Sequence, residues 1–313
     1  MSNIFEALQR AETERSGGSL PKSADSVADL LQSVEQEIER KQSLSELPAA
    51  VLPAAEKPRS PQADSFASAK VLLPAVPADA RLVCLTDQGS LAAEKFRILG
   101  LKLRHLRERR KLKRIVVTST APAEGKSLVA CNLALNQSRS KVLKTLLVDG
   151  DLRRPTLSTR LGFDRSLPGL SECLRGERQL SEVVYKLNGS GLWFLPAGCT
   201  PENPLDLMQS GHLPELLDRL GEFFDWIVID TPPVVPVADT TFWMKHGDGV
   251  LLVIREGFSE RKLVQRALDS FERTALLGVV VNSCSRSEHS YYYSRYGQPT
   301  VRTDEGPPSA ENE

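Results

Sequence analysis

Thr118-Ser-Thr-Ala-Pro-Ala-Glu-Gly-Lys-Ser127 follows the β-branched run Ile115-Val-Val117 and precedes a helical stretch from Leu128 to Gln137. That order is a strand turning into a phosphate-binding loop. Backbone N–H groups at a helix N-terminus, the Lys126 ammonium and the Ser127 hydroxyl supply what a triphosphate and its Mg²⁺ require. Measured against G-x-x-x-x-G-K-[ST], the first glycine is replaced by Thr120. By itself the loop is also compatible with an ordinary strand-to-helix turn, so the reading depends on what lies downstream.

Two further apolar runs end in acids. Thr145-Leu-Leu-Val148 leads into Asp149-Gly-Asp151, and Trp226-Ile-Val-Ile229 leads into Asp230-Thr-Pro-Pro233. Ligands of an open α/β sheet gather at such strand ends. A carboxylate there can hold Mg²⁺ or its waters, and a second can take a proton from an attacking hydroxyl. Asp149 and Asp151 are two residues apart and point to the same side of an extended backbone. Arg153-Arg-Pro155 suits a phosphate, these acids or a solvated surface, and receives no catalytic role.

From Arg81 onward, strand-like runs alternate with amphipathic windows. The runs are Leu82-Val-Cys-Leu85, Ile115–Val117, Thr145–Val148, Leu192–Leu195, Trp226–Ile229, Val250–Ile254 and Val279–Val281. The alternation predicts a P-loop α/β fold, a mostly parallel sheet with helices on both faces. Residues 1–41 hold two short amphipathic helical patterns: Ile4, Phe5 and Leu8, then Leu30, Leu31, Val34 and Ile38. They read as docking elements for a partner or as marginal helices. Residues 42–80, rich in Pro, Ser and Ala, read as a disordered linker, 81–284 as the globular domain, and 285–313 as a flexible tail.

The chain of 313 residues carries 40 Lys and Arg against 40 Asp and Glu, so its net charge gives no argument for nucleic acid. Its five cysteines lack C-x-x-C spacing and read as reduced thiols of a cytoplasmic protein. Met1 to Arg15 lacks the apolar core of a signal peptide, and no run reaches the ~18 apolar residues of a membrane span. A soluble chain is the expectation.

Four of the five tyrosines, Tyr291, Tyr292, Tyr293 and Tyr296, crowd into Ser290-Tyr-Tyr-Tyr-Ser-Arg-Tyr-Gly297. A packed core does not account for aromatics in a polar tail, so they are sites of docking or of modification. Together with the loop, Asp149-Gly-Asp-Leu-Arg-Arg-Pro155 and Asp225-Trp-Ile-Val-Ile-Asp-Thr-Pro-Pro233, the pattern resembles the bacterial tyrosine kinases of polysaccharide synthesis and export. The resemblance runs from residue 81 to about 297 and takes in Pro168-Gly-Leu-Ser-Glu-Cys-Leu-Arg-Gly176, Leu195-Pro-Ala-Gly198 and Gly278-Val-Val-Val-Asn282.

That resemblance implies an ATP- and Mg²⁺-dependent autokinase that phosphorylates the tail tyrosines of a neighbouring copy. Lys126 resembles the phosphate-clamping lysine, Ser127 the Mg²⁺ ligand, Asp149 the base for the tyrosine hydroxyl, Asp151 a support for the metal and Asp230 a holder of Mg²⁺. Thr120, Glu124, Gly125, Leu128 and Asn282 complete the implied nucleotide contacts. A membrane-anchored activator or co-polymerase, a second copy of the chain and a tyrosine phosphatase are the implied partners, at the inner face of the plasma membrane. Each phosphotyrosine adds about −1.5 to −2 charges, so a modified tail should leave an acid-lined site.

Three positions depart from the family pattern. In the ring-building E-x-x-R-x-x-R motif Glu94 and Arg97 are present, but the third position is Gly100, with Arg104 one turn further on. Ala123 stands where glycine is frequent, which costs energy if φ is positive there. The related ATPase switches of septum positioning and chromosome partitioning carry a signature lysine where this chain has Ala121. Such a switch, or a nucleotide-binding scaffold without transfer, is the alternative reading.

Overall fold

The computed structural model describes residues 66, 69–140, 142–209, 212–235, 238–271 and 276–284. The expected N-terminal helices, the linker up to residue 65 and the tyrosine tail lie outside the described residues. Eight strands form one sheet in the order β1-β4-β5-β3-β6-β2-β7-β8. They are β1 Val71–Leu72, β2 Arg114–Ser119, β3 Thr145–Asp149, β4 Tyr185–Leu187, β5 Leu192–Leu195, β6 Trp226–Asp230, β7 Gly249–Arg255 and β8 Leu276–Asn282. Every neighbouring pair is parallel except β4 with β5.

After a 3₁₀ turn at Ala78–Ala80, the α-helices among the described residues are α1 Val83–Thr86, α2 Leu91–Arg109, α3 Lys126–Gln137, α4 Leu157–Arg160 and α5 Leu170–Leu174. They continue with α6 Leu180–Val183, α7 Pro204–Gln209, α8 His212–Phe223, α9 Ala238–His246 and α10 Arg261–Asp269. They cover both faces, as uniformly apolar parallel strands require. The period of two divides each strand between two cores. Val116, Leu146 and Val148 join Leu217, Trp243 and Phe271 on one face, while Ile115, Val117 and Leu147 join Leu103, Leu133 and Phe194 on the other.

Two expectations change. Leu82-Val-Cys-Leu85 is not a strand: its residues enter the short helix α1, packed on α3. Its backbone finds partners there, with the Cys84 N–H donating to Asn132 Oδ1 at 3.0 Å and Asn132 Nδ2 donating to the Arg81 carbonyl at 3.1 Å. A four-residue apolar run has no period long enough to tell helix from strand.

The end of the expected linker belongs to the fold. Phe66 is buried, with ring centroids 4.6 Å from Phe223 and 5.7 Å from Phe224, and β1 pairs with β4 at the sheet edge. Proline-rich composition hides this anchoring because a single aromatic and two strand residues suffice for it.

Gly162 sits where this segment crosses the domain. Its φ is 79°, and a Cβ there would lie 2.0 Å from the Ala75 carbonyl oxygen. Gly162→Ala should therefore lower the unfolding free energy by about 2 kcal/mol or more, combining left-handed strain with backbone overpacking. Urea unfolding measures it, and a neutral substitution would show that residues 69–80 are not seated against this turn.

Candidate functional site

The loop begins where β2 ends. Ala123 has a φ of 65°, a conformation that costs a residue with a Cβ roughly 1–2 kcal/mol, and Gly125 follows at 98°. The glycine at position 125 is required, since a Cβ would meet Asn282 Nδ2 at 2.0 Å. Asn282, at the end of β8, donates from that same nitrogen to the Glu124 carbonyl at 2.9 Å.

The Glu124 side chain turns into the loop itself and is buried. Its carboxylate accepts from the Thr120 N–H at 2.7 Å, the Thr120 hydroxyl at 2.6 Å, the Ala121 N–H at 3.0 Å and the Ser259 hydroxyl. Thr120 is therefore more than a missing glycine, since its hydroxyl completes the shell of this carboxylate. Any contact of Glu124 with a nucleotide is left to its main chain. Leu128 lies in the first turn of α3, whose N-terminus carries free N–H groups toward an anion.

Lys126 reaches across to the acids. Its Nζ lies 3.0 Å from Asp151 Oδ2 and 3.7 Å from Asp230 Oδ1, and it donates to the Ser127 hydroxyl at 3.3 Å. Burial pulls the lysine pKa down, but Asp230, Asp151 and Asp149 outweigh it, and the ammonium is held above its ordinary value. Asp149 and Asp230 are paired in register across β3 and β6, and both are fully buried. Asp149 Oδ2 accepts from the Leu157 N–H at 3.0 Å, while its Oδ1 has no partner. Asp230 faces the Ser127 hydroxyl and the Lys126 ammonium, but neither of its buried oxygens makes a well-formed hydrogen bond.

Burial, with Asp230 alongside, pushes the Asp149 carboxyl well above the carboxylate range. Burial also raises Asp230, opposed by the charge of Lys126. Among the described residues Asp149, Asp151 and Asp230 gather around the Lys126 ammonium, and the Arg160 charge also acts on Asp230, so the buried acids still outnumber the cations facing them.

A polar frame fixes these strand ends. The Gly150 N–H donates to the Asp230 carbonyl at 2.8 Å, and Trp243 Nε1 donates to the Gly150 carbonyl at 3.0 Å. Arg153, given no catalytic role from sequence, grips buried Asp239 with two bonds of 2.7 and 2.9 Å. Asp151 Oδ1 accepts from the Arg154 N–H at 3.0 Å. Across the site, the Thr118 hydroxyl donates to the Pro232 carbonyl at 2.8 Å.

Of the sequence-identified residues, the structure gathers Thr120, Glu124, Gly125, Lys126, Ser127, Asp149, Asp151, Asp230 and Asn282 around one end of the sheet. Sequence reasoning missed Ser259, Trp243 and Asp239. Their only signal was position, after β7 or within α9, and strand order is needed to bring Ser259 to the loop and Trp243 and Asp239 to the end of β3.

No group of three or more His, Cys, Asp or Glu side chains is arranged as a metal cage among the described residues. Ser127, Asp151 and Asp230 nonetheless suit Mg²⁺, which binds through one or two carboxylates and takes its remaining ligands from water and phosphate. The orphaned oxygens of Asp230 are the observation in favour of that fit.

Glu94 and Arg97 lie apart from this site, on α2, where they pair with each other, and Arg97 also donates to the Gln88 carbonyl. Gly100 faces α3, and a Cβ there would lie 2.2 Å from Asn136 Nδ2. Arg104 Nε donates to the Gly100 carbonyl at 3.4 Å. Close packing of α2 on α3 is thus the local reason for the glycine. No helix of the described residues is long and apolar enough to cross a membrane.

No family model matches the chain. Individual proteins do. It is 32% identical over 213 residues to tyrosine-protein kinase YwqD of Bacillus subtilis, covering 67% of this chain and 89% of that protein. With tyrosine-protein kinase CpsD of Streptococcus pneumoniae it shares 34% identity over 194 residues, 60% of this chain and 85% of the relative. The putative tyrosine-protein kinase EpsB of Ralstonia solanacearum is longer, and a match at 34% identity spans 63% of this chain but 27% of that protein.

Among solved structures, the chimerical protein CapA2B2 superimposes with a TM-score of 0.62 at 28% identity, covering 72% of this chain and 99% of that one. The kinase domain of Escherichia coli tyrosine kinase ETK gives 0.59 at 26% identity, with 66% and 82% covered.

An acid whose pKa is higher folded than unfolded retains a proton in the native state between the two values, so its contribution to stability falls as pH rises through that window. Asp149→Asn removes this penalty and keeps an oxygen for the Leu157 N–H. Its stability advantage should be absent at the acid edge of the carboxylate range and reach about 1–3 kcal/mol near neutrality. Urea unfolding from about pH 4.5 to 8 reads it, and an advantage that does not change with pH would refute the raised pKa.

Proposed function

Since this chain belongs to the bacterial tyrosine-protein kinases, we propose that it transfers the γ-phosphoryl group of ATP to tyrosine hydroxyls, first among them Tyr291, Tyr292, Tyr293 and Tyr296 of a neighbouring copy. The observation that carries this reading is the convergence of Lys126 with Asp149, Asp151 and Asp230 beside a helix N-terminus. Phosphoryl transfer needs mainly positioning and neutralisation of charge.

In this reading the N–H groups from Gly125 to Leu128 hold the β- and γ-phosphate oxygens. Lys126 would clamp them in place of Asp151 and Asp230, and Ser127, Asp151 and Asp230 would hold Mg²⁺. The metal supplies charge neutralisation at the transferred group when bound. Asp149 accepts the tyrosine proton. A phenol of pKa about 10 needs a nearby acceptor, and burial makes Asp149 more basic than an exposed carboxylate. Glu94 and Arg97, on α2, are the proposed contacts to another copy.

The chain acts, we propose, in capsule or exopolysaccharide synthesis, at the inner face of the plasma membrane. A membrane-anchored activator recruits it through residues 1–41, and a tyrosine phosphatase resets the tail. Names of relatives such as CpsD and EpsB support the setting, and the tyrosine cluster in the sequence supports the acceptor.

The test is incubation with γ-labelled ATP and Mg²⁺, alone and with an activator's cytosolic segment, followed by mapping of phosphotyrosine. Lys126→Met should reduce label by roughly 10²–10³-fold. Phe at all four tail tyrosines should remove the tail label, and chelation of Mg²⁺ should abolish transfer. Label that persists in Lys126→Met, or a tail never labelled under any activation, would sink the assignment. Hydrolysis without tyrosine label would support the ATPase switch instead.

A further inference from the structure

We propose that Ser259 is a positioning residue for nucleotide binding, holding the phosphate-binding loop in shape through Glu124 without touching the nucleotide. This rests on the nucleotide-dependent reading above. Ser259 closes the turn after β7, in which Gly257 has a φ of 69° and the Phe258 and Ser259 N–H groups both donate to the Arg255 carbonyl, at 3.2 and 3.0 Å. The Arg255 N–H donates back to the Ser259 hydroxyl oxygen at 2.8 Å. With an acceptor site of that oxygen used by the backbone, the hydroxyl hydrogen is directed onto Glu124 Oε1.

The other donors to the Glu124 carboxylate, Thr120 and Ala121, lie three or four residues away in the same loop. They make the loop curl on itself but do not fix where the curl sits on the sheet. Ser259 comes from the turn after β7, 135 residues along the chain, and anchors the side chain of Glu124 to that end of the sheet. Asn282, from β8, anchors its carbonyl. Between them they hold the residue flanked by Ala123 at φ 65° and Gly125 at φ 98°. A loop whose backbone is strained at one of these positions keeps its anion-binding shape only while such bonds over-determine it. Preorganisation of this kind appears as ground-state affinity, so nucleotide binding should change while the transfer step does not.

The experiment uses the full chain, with Mg²⁺·ADP titrated calorimetrically at a temperature where every variant is folded, and KM and kcat for ATP measured alongside. Ser259→Ala should weaken nucleotide binding about tenfold, the effect of one hydrogen bond to a charged group, with kcat within about twofold. Ser259→Thr should restore affinity to within about twofold. Ser259→Cys, of similar shape but a weak donor, should behave like the alanine variant and serves if that one folds poorly. In Glu124→Gln, adding Ser259→Ala should cost less than it does in the wild type.

Unchanged affinity in the folded variants, an equal loss in Ser259→Thr, or full additivity with Glu124→Gln overturns the proposal while leaving the kinase reading intact. Wild-type protein that binds no nucleotide overturns both.

Discussion

Three carboxylates buried around one lysine are the constraint on which the working end of this sheet depends. Asp149 and Asp230 are brought side by side by the register of β3 and β6, and Lys126 forms ion pairs with both Asp151 and Asp230. Burying charge without full compensation is costly, so such an arrangement persists only where the surrounding structure imposes it. Here the imposition is visible: Gly150 is pinned to the carbonyl of Asp230 and to Trp243, and Arg153 is pinned to Asp239. The fold holds an acid pocket suited to positive charge, which a metal-bound triphosphate of the kind proposed would bring while offering phosphate to the lysine.

The phosphate-binding loop shows the same economy in its departures from the common glycine pattern. Thr120 gives up the freedom of glycine and gains a hydroxyl for Glu124. Ala123 accepts a left-handed backbone beside a residue held from the turn after β7 and from the end of β8. Strain at one position and bonds at its neighbour form one device, whose cost is meaningful only when the bonds are counted with it. Gly100 follows a parallel logic on α2, where close approach to α3 takes the place of the arginine that the family motif would put there.

Much of this was legible in the chain. The apolar runs ending at Ser119, Asp149 and Asp230, with a Gly-Lys-Ser triplet after the first, specify a parallel α/β sheet and a cluster of chemistry at its carboxyl edge, because parallel strands place their ends together. The period of two in those runs is what separates Val116 from Ile115 and Val117 in the folded cores. Failures came where local pattern was too short to carry information. Val83 to Leu85 became helical, with Asn132, 48 residues from Cys84, bonding the backbone of Cys84 and Arg81. The proline-rich stretch before Arg81 hid Phe66 and β1, whose partners lie at residues 186–187 and 223–224.

The sequence by itself therefore determined the class of fold, the phosphate-binding loop, the acids that face it and the kinship with tyrosine kinases, since each is written in short-range spacing of residue types. Only the tertiary structure decided which oxygens are left without partners, that the Glu124 side chain turns inward, and that Ser259 and Asn282 brace the loop. Those outcomes depend on strand order and register, which join residues more than a hundred positions apart and leave no periodic trace in the chain.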